Sequence, residues 1–440
     1  MISRIATHLS AKRAAIAIAL LLALAIGYVA SNDDDPPARA NGDVQLGGAS
    51  SPCGATVLQA LSQVTQRVYD EGVSSERTEI ALRLVKGSHA LREAVEHDDS
   101  SAARTAAQAL LAGGHLTNLT VTRGGRTLAS VGAKGALAPL HGSILDASGA
   151  PIASFVTSVW ADRGFLSELK GVVEGDIALR EGNRSLDGSF EMPAGAIPPA
   201  GTLTEHGTVF QYASFPAAVY PSGSGSGSGS LRVYILRTAA STAHFCGAST
   251  QDTLVNTLSR VAALIYAGEI GPHALLQVHG AQHNSALLKA VAERNPIATR
   301  KAVVGLVYDH SHIVRLRVSA GGHLLADVGG PYVLGPVSAP LRLHGKQIGE
   351  LVLSIQDDEG YLRLARRLVG IDVLMYMHPT GTHPELVKNS LGPGVGGLSS
   401  IPASGTYHYR GQTFAVFTFD ARAFPAGTLR IRELIPLPYS

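Results

Sequence analysis

The stretch "LTVTRGGRTLASVG", Leu119 to Gly132, alternates apolar and polar residues on either side of Gly124-Gly125. Period-two alternation marks a half-buried strand, and a Gly-Gly pair between two such runs marks a tight hairpin turn. The chain contains this hairpin twice, because "LRVSAGGHLLADVG", Leu316 to Gly329, repeats it at an offset of 197. Outward from the pair, the similarity continues in order on both sides. Upstream, "LSQVTQRVY" (Leu61 to Tyr69) matches "LSRVAALIY" (Leu258 to Tyr266), and "ALREAV" at Ala90 matches "ALLKAV" at Ala286. Downstream, "GAPIASFVTSV" at Gly149 matches "GKQIGELVLSI" at Gly345, and "FLSELKGVVEGDIAL" at Phe165 matches "YLRLARRLVGIDVLM" at Tyr361. "IPPAG" at Ile197 and "IPASG" at Ile401 lie 204 apart, so one loop is longer in the second copy. Two homologous domains are expected, 53–237 and 246–440, joined by a connection over 238–245.

Each copy opens with helix. "VLQALSQVTQRVYDEG" spaces its apolar residues by three and four, and a second helical stretch surrounds "SHALREAV" and "AARTAAQALLA". In copy two the equivalents are "SALLKAV" and "IATRKAVVGLV", with Pro296 at a helix start. The Gly-Gly hairpin follows, then a second hairpin turning at Asp146 to Gly149, or at His344-Gly345. A short amphipathic helix ("RGFLSELKGVV", "EGYLRLARRLV") leads into "GDIALREG" or "IDVLMYMH" and two closing strands. "PSGSGSGSGS", Pro221 to Ser230, reads as a flexible hairpin loop, because the strand after it has a partner in copy two. The fold class expected is α+β, with a mostly antiparallel sheet in each copy.

The chain has 440 residues and is 45% hydrophobic, 16% charged and 5% aromatic, with a net charge of +2. That is a globular composition, and its charge balance gives no reason to expect nucleic acid as a partner. The N-terminus carries Arg4, His8, Lys12 and Arg13 without an acidic residue. Ala14 to Ala30 is then uncharged and apolar, and "SNDDDPPARANGD" follows. Basic charge before an apolar run predicts a single-pass anchor over 14–30, a cytoplasmic 1–13, a linker over 31–52 and an extracytoplasmic remainder. A cleaved signal peptide is the alternative, and it also places the bulk of the chain outside the cytoplasm.

A helix leading into two hairpins, a short helix and terminal strands resembles the PAS-like extracytoplasmic sensors called Cache domains. "LTVTRGGRTLAS" and "LRVSAGGHLLAD" are similar to that family's strand-Gly-Gly-strand hairpin. "DASGAPIASFVTSV" and "LHGKQIGELVLSI" are similar to its second hairpin, and "VVEGDIALREGNRSLDG" to the strand entering a later turn. The resemblance spans nearly all of each copy. It implies a sensing or ligand-binding role at a membrane. Family members usually carry a second membrane helix and a cytoplasmic signalling domain. Neither is recognisable here, so action through a partner signalling protein is implied. The family's ligand-contact pattern of Arg or Tyr before an Asp is not matched residue by residue.

Signatures of chemistry are sparse. "GSGSGSGSG" satisfies a nucleophile-elbow expression but is low-complexity loop, and neither phosphate loop, His-Glu-x-x-His nor dinucleotide fingerprint occurs. No enzyme activity and no cofactor are expected. "DHSHI" (Asp309, His310, His312) and "MHPTGTHPE" (His378, His383) read as solvated turns, not metal sites. For a small-molecule ligand, the place expected is beside the second hairpin and the short helix. Copy one offers Trp160, Asp162, Arg163, Arg180 and Tyr212 there. Copy two offers Tyr361, Arg366 and Tyr376, with Asp357 and Asp358 read as a helix N-terminus. The competing reading makes Trp160 a core cap and Arg163 a helix start. A cell-envelope scaffold without a ligand is the alternative function.

Cys53 and Cys246 are the only cysteines, and each opens a "CGA" just before the lead helix of its copy. In an extracytoplasmic chain they are expected to pair, stapling the two helix bases together; two free thiols are the alternative.

Overall fold

The computed structural model describes residues 45–133, 135–218, 220–221, 231–309, 312–377 and 384–439. The expected anchor, its flanks, the Gly-Ser run and His310, His378 and His383 lie outside the described residues. The fold is α+β with antiparallel sheets, as the periodicity predicts.

Copy one opens with α1, Pro52–Asp70. Ser51 caps it by accepting from the Gly54 amide, and Pro52 occupies its first turn, where its missing N–H costs nothing. Val57, Leu61, Val64 and Val68 bury one stripe of it. Three further helices follow: α2 (Glu76–Gly87), α3 (His89–Glu96) and α4 (Ser100–Ala112). They cover a four-stranded sheet of β2 (Asn118–Arg123), β3 (Arg126–Gly132), β5 (Leu140–Leu145) and β6 (Pro151–Ser158), in the order β3-β2-β6-β5. Copy two builds the same sheet from β13 (Arg315–Ala320), β14 (His323–Gly329), β16 (Val337–Leu343) and β17 (Lys346–Ser354), ordered β14-β13-β17-β16. Both glycine pairs take positive φ, +54° and +82° in copy one, +57° and +79° in copy two. The register shifts at Val121/Thr122 in one and Val318/Ser319 in the other, and again at Ile144/Leu145 and Leu341/Arg342. The repeat is therefore kept down to its bulges.

A second, larger sheet completes each copy. In copy one it runs β10-β11-β12-β8-β9, from Ala200–Glu205, Thr208–Ala217, Leu231–Thr238, Asp176–Glu181 and Arg184–Gly188. In copy two it runs β21-β22-β23-β19-β20, from Gly405–Tyr409, Gln412–Ala423, Gly427–Leu437, Asp372–Met377 and Glu385–Asn389. Ala217 pairs with Leu231, so the Gly-Ser run does join two paired strands. Gln45–Leu46 adds an edge strand to β10.

The lead helices hold the copies together. α1 packs on its partner α7, Thr250–Ile270, and each lies on the large sheet of its own copy. One core therefore takes Val57, Leu61 and Val64 from α1, Leu258, Val261 and Ile265 from α7, and inward residues of both large sheets such as Ile235 and Ile431. The apolar surface buried in common stabilises the packing of the two copies on each other. Cys53 and Cys246 are joined in a disulfide across the helix bases, with Cα atoms 5.6 Å apart. The glycine of the first "CGA" is closely approached, since a Cβ on Gly54 would lie 1.5 Å from Oε1 at the flexible end of Gln211. Thr250–Gln282 is long and apolar enough to cross a membrane by length and composition alone. Its Leu258, Val261 and Ile265 lie in the shared core, which is what a core helix does.

Candidate functional site

The sequence groups Trp160, Asp162, Arg163, Arg180 and Tyr212, but the large sheet of copy one separates them. Alternate residues of a strand face opposite sides. Ile177 and Leu179 point to the lead helix, while Arg180 and Tyr212 sit on the other face, Tyr212 beside Tyr234 at 6.1 Å. There Arg180, 3% exposed, donates to the carbonyl of Gly195 and to Asn183 Oδ1, which ties down the loop that crosses this face. Copy two performs the same task with the residues exchanged. Tyr376 occupies the strand position of Arg180, and Arg432, stacked at 5.6 Å on Tyr376, donates to the carbonyls of Leu398 and Ile401. Arg180 thus anchors a loop, while Tyr212 and Tyr376 are buried in the sheet face beside it, and none of the three lines the cleft at Trp160. Arg163 and Arg366 are exposed. Asp162 begins α5, Asp162–Lys170, and its carboxylate accepts from the Arg163 amide; burial raises its pKa. In copy two Asp357 caps α11, Asp358–Leu364, by accepting from the Gly360 amide, as its sequence position predicts.

Trp160 does stand at a cleft. Its strand, Trp160–Ala161, pairs with Ala136–Leu137, and Ser158 locks its backbone by accepting from the Trp160 amide and donating to the carbonyl of Leu137. Ser354 makes the same bonds to Gln356 and Leu334 in copy two, so the device is duplicated and only the side chain it presents differs. The indole packs edge-on to Phe165 at 6.2 Å, and the guanidinium of Arg77 lies over it at 5.0 Å. Its Nε1 is buried without a hydrogen-bond partner among the described residues, pressed against Gly72, where a Cβ would lie 2.1 Å from Cδ1.

The cleft measures about 340 Å³ and belongs to both copies. Copy one contributes Glu71, Glu76, Arg77, Trp160 and Glu168. Copy two contributes Arg367 from a π-helical turn, Ala365–Val369, that continues α11 and packs on α1. Arg367 Nε lies 2.8 Å from Glu71 Oε1, whose pKa is raised by burial and lowered by that same Arg. With Glu71 and Arg367 paired, Glu76, Glu168 and Arg77 remain to meet a guest. The volume is that of a small-molecule site, and the lining carries both signs of charge beside one aromatic face.

A second buried pair, not singled out by the sequence, lies inside copy two. Tyr361 is fully buried and its hydroxyl donates to Glu433 Oε1 at 2.8 Å, with Glu433 Oε2 unpartnered among the described residues. Burial pushes Glu433 up to about 8 and Tyr361 well above its ordinary value. At the corresponding strand and helix positions copy one has Ile235 and Phe165, so a register-aware comparison of "LRVYILR" with "LRIRELI" exposes the exchange. Among the described residues no group of three His, Cys, Asp or Glu side chains is arranged to hold a metal.

Comparison with protein-family models, with curated proteins and with solved structures finds no match to this chain.

Proposed function

We propose that this chain is a membrane-anchored extracytoplasmic sensing module of two Cache-like domains. It takes a small ligand in the cleft beside Trp160 and acts through a partner protein. One observation carries the reading: the cleft is walled by both copies, so an occupant bears on how they sit together. Its mixed lining suits a molecule carrying an amine and a carboxylate, with Glu76 and Glu168 available to the amine and Arg77 to the carboxylate. The duplicated hairpins, bulges and short helices support the Cache-like reading, and the cross-copy disulfide suits an extracytoplasmic chain. Thermal-shift screening of the full chain in detergent against amino acids, carboxylates and metal ions tests it. A ligand at a hundredfold its Kd adds about 2.7 kcal/mol of stability. No saturable shift across that panel would leave the envelope scaffold as the better reading, which the loop-anchoring bonds of Arg180 favour.

A further inference from the structure

A second groove joins the two copies next to the disulfide. It measures about 720 Å³ and is lined by Glu174 and Arg237 of copy one, Phe245 of the connection, and Arg260, Phe417 and Phe419 of copy two. Arg237 is only 8% exposed. Its Nε and Nη1 are closed to solvent and have no hydrogen-bond partner among the described residues. Its guanidinium lies over the ring of Phe245 at 4.6 Å. Glu174, the carboxylate whose charge bears on it, is already held by Arg260 through Nη2 at 2.6 Å and Nε at 3.1 Å. Burial works against the charge of Arg237. A buried cation with unused donors is a costly arrangement that a bound anion would relieve.

The chemistry of the missing partner follows from the lining. A guanidinium offers a planar fork that fits a carboxylate through two parallel bonds. Three phenylalanine rings supply apolar walls, which an inorganic anion cannot use. We propose that this groove binds a small organic carboxylate with an apolar or aromatic body. The carboxylate pairs with Arg237 and the body lies against Phe245, Phe417 and Phe419. Because Glu174 and Arg237 come from copy one while α7 and β22 come from copy two, the occupant bridges the copies at a place separate from the Trp160 cleft.

Calorimetry on the full chain in detergent tests this, with benzoate as probe, benzamide as its neutral isostere and inorganic phosphate as competitor. Benzoate is expected to bind saturably, benzamide about tenfold or more weaker, and phosphate not to displace benzoate. Arg237→Met should lower benzoate affinity by about tenfold or more, with the melting temperature of the free protein unchanged or raised, because an unpaired buried charge is removed. Ser259→Phe, which fills the groove from α7 and leaves Arg237 in place, should block benzoate as well; it decides the matter if the Arg237 variant does not fold. Trp160→Phe should leave benzoate binding intact. Equal binding of benzoate and benzamide, displacement by phosphate, wild-type affinity in Arg237→Met or Ser259→Phe, or loss of binding in Trp160→Phe would each overturn the proposal. So would the absence of benzoate binding at tens of millimolar.

Discussion

Glu71 at the end of the first lead helix and Arg367 on the π-helical turn of the second copy are 2.8 Å apart, and both line the Trp160 cleft. The Arg side chain is half-exposed, so the pair contributes no more than about 1 kcal/mol to stability. Arg367→Ala is therefore expected to leave the melting temperature within a few degrees of wild type. It should also free Glu71 to meet the amine of a guest and change ligand affinity at the cleft. Melting curves and ligand titrations on the same variant check the two halves separately.

The Cys53–Cys246 bridge closes a loop of 193 residues around the whole first copy. Loop-closure entropy assigns such a bridge about 5 kcal/mol. Cys53→Ser paired with Cys246→Ser should lower the denaturant midpoint accordingly. A double variant as stable as wild type, with the copies in the same relative orientation by small-angle scattering, would show that the shared core alone fixes them.

Gly72 has no room for a side chain. A Cβ there would meet Trp160 Cδ1 at 2.1 Å, Nε1 at 2.7 Å and Ala138 Cβ at 2.9 Å. Gly72→Ala should cost about 1–3 kcal/mol and move the indole. Trp160 is the only tryptophan, so a shift of the emission maximum reports the displacement directly.

Glu433 makes stability depend on pH. Its folded pKa of about 8 lies above its ordinary 4.5. Its favourable contribution is complete below 4.5 and is lost as the pH rises through 8, because the folded state then has to bury a carboxylate. The wild type is expected to lose roughly 3–5 kcal/mol from this group between those limits. Glu433→Gln, which keeps an acceptor for the Tyr361 hydroxyl, should flatten that part of the profile. Chemical denaturation at pH 5 and pH 8 measures it, and equal slopes in the two proteins would refute the assignment.

Much of the fold is legible because the repeat supplies two samples of each pattern. Leu119 to Gly132 and Leu316 to Gly329 fix the first hairpin, and Pro296 marks a helix start in the structure as in the sequence. The division of each copy into two sheets is not legible, since alternation shows which residues share a face but not which strands pair. The edge strand Gln45–Leu46 and the helices α2 and Pro272–Gln282 carry no repeat signal that singles them out. At the site, Trp160 stands out by being alone. Glu71 and Arg367 do not, because their meeting depends on how the lead helices cross. Arg180 lies on the opposite face of its sheet from the lead helix, where it donates to the Gly195 carbonyl, and strand alternation alone does not show which face meets the helix. Asp162 and Arg163 follow Trp160 in sequence, but they turn into α5 and do not line the cleft.

Both copies wall the cleft at Trp160, where the proposed ligand would sit. Fluorescence titration of the full chain with a panel of amino acids and small amines tests it most directly, because the single tryptophan reports from the cleft wall. A saturable change in emission is expected for at least one member, abolished in Arg77→Ala or Glu168→Ala and retained in Arg237→Met. Emission unchanged across the panel, or a change that survives both cleft substitutions, would contradict it.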